Sequence, residues 1–247
     1  MKSILVIPCF NESRRINHGA LKSLFDGLSA LDLETEVLFV DDGSTDDTAN
    51  MLEKITTSVS AASVLTIKKN GGKAEAVRHG LNVALESGAQ IVGYCDADFA
   101  TPPEEVVRLL AITYKHPDNL VVIGSRVLLL GHAIRRSAMR HYVGRIFATI
   151  SGSILGIGVY DTQCGAKWFR ECDALRSTLG RRFRSRWGFD VEIIGRLLKS
   201  GVEETQMREV PLNAWQDVGG SKITLNSGLR TLIDLALIRR DLRRWPQ

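Results

Sequence analysis

Glu36-Val37-Leu38-Phe39-Val40-Asp41-Asp42 and Gln90-Ile91-Val92-Gly93-Tyr94-Cys95-Asp96-Ala97-Asp98 repeat one arrangement, a short apolar run that ends on a pair of carboxylates. Runs of this length read as buried strands. In an open α/β sheet the ligand crevice lies beyond the carboxyl ends of the strands, so both pairs are expected to face one cleft. Two ionised carboxylates about 4 Å apart repel by roughly 4 kcal/mol at an effective dielectric near 20. A hard divalent cation or a donor-rich ligand would offset that repulsion, so a cation and a polar ligand are the expected occupants.

Working outward, the same alternation extends over the first half of the chain. Ser3 to Pro8 reads as a strand, and Leu21, Leu24, Phe25, Leu28 and Leu31 then recur at helical spacing. Periodicity further predicts strands over 36–40, 63–67, 90–95 and 120–123, separated by helices over 45–55, 73–86 and 102–115. This βα rhythm predicts a doubly wound, mostly parallel sheet. Beyond residue 126 it gives way to a basic helical region, a loop at 161–165, a helix at 189–199, a strand at 204–211 and a terminal helix.

An acidic residue after a strand is often no more than a helix cap. Here Thr101-Pro102-Pro103-Glu104 is a capping box with proline at the first helical position, and Ser44 with Asp47 can cap the second helix, over 45–55. Both assignments leave Asp41, Asp42, Asp96 and Asp98 free for other work. Rival motifs fail on spacing. An aspartate-nucleophile phosphatase wants Thr or Val where Ala100 stands, and a two-component receiver is about half as long as these 247 residues. Gly71-Gly72-Lys73 lacks the earlier glycine and following hydroxyl of a phosphate loop, and Gly156-x-Gly158 meets Asp161 where a dinucleotide fingerprint needs glycine.

With 44% hydrophobic and 24% charged residues, the chain is expected to form a single domain over 1–247. Its net charge of +4 is too mild to argue for nucleic acid. The positive charge is local: Arg126, Arg135, Arg136, Arg140 and Arg145 follow one another without an acidic residue, and Arg239, Arg240, Arg243 and Arg244 lie near the end. Cys9, Cys95, Cys164 and Cys172 show neither zinc-site spacing nor a disulfide framework, which favours reduced thiols in the cytoplasm. With only Lys2 between Met1 and the strand expected from Ser3, no signal peptide is expected, and the weakly polar stretch Ile146 to Tyr160 is too short and interrupted to span a bilayer.

Taken in order, Pro8-Cys9-Phe10-Asn11-Glu12, Asp41-Asp42-Gly43-Ser44, Asn70-Gly71-Gly72-Lys73, Asp96-Ala97-Asp98, Gly124-Ser125-Arg126, Asp161-Thr162-Gln163-Cys164-Gly165 and Trp187-Gly188-Phe189-Asp190-Val191-Glu192 resemble the family-two inverting glycosyltransferases of GT-A fold. The dolichyl-phosphate and polyprenyl-phosphate glucosyltransferases are the branch most similar. The resemblance implies a GT-A, Rossmann-like domain with a nucleotide-sugar-binding half over 1–125 and an acceptor-side half of C-terminal helices over 126–247. It implies that Pro8, Phe10 and Glu12 lie against the nucleotide, that Asp42 binds uracil or ribose with Asp41 supporting its loop, and that Lys73 approaches the donor. Asp96 would hold ribose or the metal-linked diphosphate, and Asp98 would ligate Mg²⁺ or Mn²⁺. The third protein ligand stays open, because Ala100 stands where mannosyl relatives more often carry a metal-holding Gln. Lys222 resembles a late basic residue near the diphosphate, and Asp161 a loop acid that orients the acceptor. One of Asp190 and Glu192 would be a cap and the other functional.

The implied reaction moves a hexose, glucose from UDP-glucose, to a polyprenyl phosphate. Arg126, Arg136 and Arg140 match the region that grips the acceptor phosphate, although a solvated basic helix face is the plainer reading. Val127 to Leu130 and Ile146 to Leu155, set among those arginines, could rest on an anionic bilayer, which implies a cytoplasmic protein peripheral to the membrane. A soluble or polysaccharide acceptor is one alternative, and a sugar-nucleotide-binding scaffold without turnover is another.

Overall fold

The computed structural model describes residues 1–136, 138–217 and 225–246. Strands β1 (Ser3–Cys9), β2 (Thr35–Asp41), β3 (Ala62–Thr66) and β4 (Ile91–Cys95) run parallel in the spatial order β3-β2-β1-β4. Helices α1 (His18–Ser29), α2 (Thr48–Ser58), α3 (Lys73–Glu86) and α4 (Pro103–Lys115) alternate with them and lead to β5 (Val121–Ser125). Successive strand residues point to opposite faces. Leu5 and Ile7 pack with Leu21, Leu24 and Leu28 of α1 and Leu109 of α4, while Ile4 and Val6 pack with Val77 and Leu81 of α3. Because both faces are covered, β1, β2 and β4 read as largely apolar runs, while β3 at the edge is only partly buried.

The second half of the chain contributes β6 (Ala133–Arg135), α5 (Ala138–Leu155), β7 (Ala166–Arg170), α6 (Asp173–Leu179), α7 (Phe189–Lys199), β8 (Met207–Pro211), β9 (Ala214–Gln216) and α8 (Leu225–Leu242). Sequence periodicity did not reveal β7, which wedges antiparallel between β4 and β5, with β8 added parallel to β5. The sheet is therefore mostly parallel, in the order β3-β2-β1-β4-β7-β5-β8, and a short parallel pair β6-β9 lies apart from it. Trp168 of β7 is fully buried and donates its indole N–H to the Val106 carbonyl at 3.1 Å. Burying such a ring contributes about 2–3 kcal/mol.

Register decides what meets at the rim. Cys9 pairs with Asp41, Cys95 with Ala166 and Ile123 with Lys167. Since β7 runs against its neighbours, its first residue stands where β1, β2, β4 and β5 end. The loop before β7, carrying Asp161 to Gly165, and Arg126, just after β5, thus reach the same edge as Asp96 and Asp98.

Two capping expectations are corrected. At the start of α4 the cap position is Pro102 with no side-chain bond, and the Thr101 hydroxyl faces the Cys164 sulfur at 3.9 Å instead. At α2 the cap position is Asp47, also without a cap bond; it is Asp46 that receives the Thr48 amide at 3.0 Å, while the Ser44 hydroxyl accepts the Asn11 amide. Neither acidic pair is left free, as described below. All four cysteines are free thiols. Among the described residues no helix is long and apolar enough to cross a membrane.

Candidate active site

The loop after β1 is laced to the loop before α2. Asn11, with φ of 55°, accepts the Thr45 amide at 2.8 Å; the Glu12 amide donates to the Thr48 hydroxyl at 2.8 Å, and the Ser13 hydroxyl donates to Asp46 at 2.5 Å. Donors from Ser13 and Thr48 hold the Asp46 carboxyl down at about 2. This leaves Phe10 43% exposed at the rim. Asp41 accepts the Ser44 amide at 3.0 Å, and Asp42 accepts the amides of Gly71 at 2.9 Å and Gly72 at 2.7 Å. Both carboxylates are buried. The nucleotide role implied for Asp42 thus falls on a carboxylate already bonded to two amides, and what it visibly does is fix the turn that starts α3. Gly72, at φ of 88°, permits that turn and delivers Lys73 as the first residue of the helix.

Lys73 forms an ion pair with Asp96, and its ammonium lies 5.8 Å from the centre of the Phe189 ring. Burial works against its charge, but the carboxylates of Asp96, Asp190 and Asp98 outweigh that and raise its pKa. Asp98 accepts the Ala100 amide at 3.1 Å and an Arg15 N–H at 3.1 Å; the other arm of Arg15 reaches Glu12 at 3.1 Å. Burial, then the neighbouring Asp96, raises the pKa of Asp98, and burial raises that of Glu12 despite Arg15. Pro8, one residue short of the end of β1, is half-buried beneath this loop.

Asp161 and Arg126 bind each other. The guanidinium donates from Nε at 2.6 Å and from Nη2 at 2.8 Å, and the Arg126 amide adds a third bond at 3.0 Å. Burial alone would raise the Asp161 pKa, but Arg126 overrides it and holds the carboxyl at about 2. Stability from this pair is present above the ordinary carboxylate pKa and lost as pH falls through about 2. Arg126 also lies over Trp215, its central carbon 5.4 Å from the ring centre, and Arg145 covers Tyr160 at 3.7 Å. Glu209 of β8, unmarked in the sequence, receives the amides of Tyr160 at 2.8 Å and Asp161 at 2.7 Å and so positions the acid loop.

A model of the family described as Glycosyl transferase family 2 matches residues 4–172. The chain belongs to glycosyltransferase family 2. It is 30% identical over 246 residues to a dolichyl-phosphate beta-glucosyltransferase of Trichomonas vaginalis, covering 94% of this chain and 69% of the relative. To the dolichyl-phosphate beta-glucosyltransferase of Saccharomyces cerevisiae it is 31% identical, over 95% of this chain and 73% of the relative. The crystal structure of glucosyl-3-phosphoglycerate synthase from Mycobacterium tuberculosis superposes with a TM-score of 0.69 at 19% identity, covering 97% of this chain and 80% of that one, a likeness of fold. The mostly parallel sheet flanked by helices is thus the GT-A architecture that the motifs implied.

In this family 2 glycosyltransferase the rim gathers Glu12, Asp41, Asp42, Lys73, Asp96, Asp98 and Asp161, while other expectations fare differently. Lys222 lies outside the described residues. Arg140 stands on α5 with its side chain outside the described ones, and Arg136 is half-buried against Gly144. Arg126, expected to grip an acceptor phosphate, has its fork taken by Asp161.

The choice between Asp190 and Glu192 is also corrected, for α7 has Gly188 at its cap position and neither acid caps it. Glu192 pairs with Arg196 at 2.5 Å and accepts the Arg184 amide at 2.8 Å, which ties down the loop before α7. Asp190 accepts from the Tyr94 hydroxyl and from Lys167 at 2.5 Å, and Lys167 also donates to the Cys164 carbonyl at 2.6 Å. Lys167, fully buried, Arg15 and Glu209 are contributors that sequence reasoning missed.

The donor set fits a hard divalent ion. Asp96 and Asp98, two residues apart after β4, offer carboxylates that now pair with Lys73 and Arg15, and Glu12 Oε2 is buried without a hydrogen-bond partner. Among the described residues no three His, Cys, Asp or Glu side chains surround a metal position. One or two carboxylates completed by substrate phosphates and water is the usual supply for Mg²⁺. Gly165 controls this geometry: a methyl group built there overlaps the Asp96 carboxylate, while the Gly165 carbonyl accepts the Asp96 amide at 3.0 Å. Gly165→Ala is therefore expected to leave the melting temperature nearly unchanged, because only a side-chain end must move. Donor affinity should fall by about tenfold or more through loss of a placed ligand. Calorimetric donor binding alongside thermal melts checks this, and unaltered affinity would contradict the placement of Asp96.

Proposed function

We propose that the chain is an inverting, metal-dependent transferase that moves glucose from UDP-glucose to a polyprenyl phosphate of dolichyl or undecaprenyl type. What carries the reading is the Lys73, Asp96 and Asp98 constellation at the strand ends of a chain 30–31% identical to dolichyl-phosphate beta-glucosyltransferases over nearly its whole length. In this reading Phe10 offers the nucleotide an aromatic surface, and the loops anchored by Asp41, Asp42 and Asp46 fix the pocket around it. Asp96 and Asp98 would hold Mg²⁺ or Mn²⁺, which when bound neutralises charge developing on the departing diphosphate. Lys73, and Lys222 from the late basic motif, add positive charge from the protein.

The acceptor needs little activation. A phosphate monoester with a second pKa near 6 is already ionised at neutral pH. Asp161, held at about 2 by Arg126, is too weak a base to take a proton there, so it orients rather than deprotonates. Attack from the face opposite the leaving group inverts the anomeric centre. Arg136 and Arg140 remain the candidates for the acceptor phosphate. The exposed side chains of Leu128, Leu129, Leu130, Tyr142 and Ile146, set among these arginines, suit peripheral contact with an anionic membrane surface on its cytoplasmic side. Incubation of the protein with UDP-glucose, Mn²⁺ and polyprenyl phosphate tests the proposal. Glucosyl lipid is the expected product. UDP release only with a soluble or polysaccharide acceptor would move the assignment to that acceptor, and binding without turnover would leave a scaffold.

A further inference from the structure

Lys73 and Arg15 pair with Asp96 and Asp98, and they are built differently. Lys73 begins a helix and is flanked by Asp96, Asp190 and the Phe189 ring. Arg15 stands on the open loop between β1 and α1, its side chain 47% exposed. Among the described residues its side-chain hydrogen bonds go to two carboxylates alone, Glu12 Oε1 and Asp98 Oδ2, each at 3.1 Å. The remaining oxygen of Glu12 is buried with no partner. Two charge-assisted hydrogen bonds hold this guanidinium, half-exposed itself while its Glu12 and Asp98 partners are mostly covered, and a bridge with one arm open to solvent contributes little.

We infer that Arg15 is the resident counter-cation of Asp98 and Glu12, and that a divalent ion must displace it to reach Asp98, so that Arg15 sets the metal affinity of the free protein. The inference rests on the metal-dependent reading above. A monovalent guanidinium keeps the two carboxylates from repelling each other before the metal arrives, and its exposed stem lets it leave into solvent without disturbing the core. The chain thereby stays folded without metal, at the expense of metal affinity.

The test is Mn²⁺ binding to the metal-free protein, followed by the electron paramagnetic resonance signal of the free ion, for wild type, Arg15→Gln and Arg15→Lys. Removing the competing guanidinium should tighten Mn²⁺ binding by about fivefold in Arg15→Gln. Arg15→Lys, which keeps the charge but not the two-armed bridge, should fall between the two. Coincident melting curves would establish that all three proteins are folded, and Arg15→Lys provides the comparison if Arg15→Gln melts early. Equal or weaker binding by both variants, with wild type binding normally, overturns the role of Arg15 alone. Absence of Mn²⁺ binding in all three proteins, also when UDP is added, overturns the metal-dependent reading together with it.

Discussion

Asp98→Asn is expected to lower glycosyl transfer by about three orders of magnitude and to leave the fold intact. Asparagine keeps the volume and the acceptor for the Ala100 amide, so the backbone at 98–100 retains its bond. What it loses is the charge that would hold the cation and, through it, the diphosphate; an ion in that position supplies several kcal/mol, about 4 kcal/mol being a factor of 10³ in rate. Stability should move the other way. Burial and Asp96 raise the Asp98 pKa, so in the wild type this group disfavours the fold at neutral pH and stops doing so as acid protonates it. The variant should therefore melt slightly above wild type at pH 7, with the gap closing as pH falls. Glucosyl transfer measured with saturating UDP-glucose, beside thermal melts at several pH values, checks both halves. Activity within tenfold of wild type would remove the metal role from Asp98.

Lys167→Met is expected to destabilise the protein by about 3–5 kcal/mol, the usual result of leaving one member of a buried ion pair behind. Lys167 is fully buried, and its ammonium is shared between Asp190 and the Cys164 carbonyl. Without it, Asp190 keeps the Tyr94 hydroxyl and a long contact from Gln163 at 3.4 Å, too little for a carboxylate in the core. Adding Asp190→Asn should restore part of the loss, because the uncompensated charge goes with it. Equilibrium denaturation of the single and double variants measures this coupling. A loss under about 1 kcal/mol in the single variant would mean that the pair is not the buried clamp the structure shows.

β1, β2 and β4 were legible because each carries an apolar run followed by a helical period, the pattern of a parallel strand buried on both faces, and β3 on the edge was legible from the same alternation though it is only partly buried. β7 escaped for a related reason. Ala166-Lys167-Trp168-Phe169-Arg170 carries a lysine at a fully buried position, so its run looks interrupted until Asp190 arrives from a distant helix. The strand-end acids do meet at one edge of the sheet, as their positions implied. Their neighbours misled the capping assignments, since the hydroxyls of Ser44 and Thr101 find partners across loops rather than on the helices they precede. Arg15 and Glu209 carried no spacing signal at all; a lone arginine beside a loop acid and a lone glutamate on an edge strand look like solvated surface until the chain is folded. The reverse happened with Arg126, where the motif was visible and its internal partner was not.

The account stands on the strand-end carboxylates binding a nucleotide sugar through a divalent ion, and calorimetric titration of UDP-glucose into the protein, with Mn²⁺ and then with chelator, addresses it most directly. Binding in Mn²⁺ that weakens by about tenfold or more when the ion is withdrawn is the result expected of a bridging cation. Equal heats with and without the ion, or none under either condition, would contradict it.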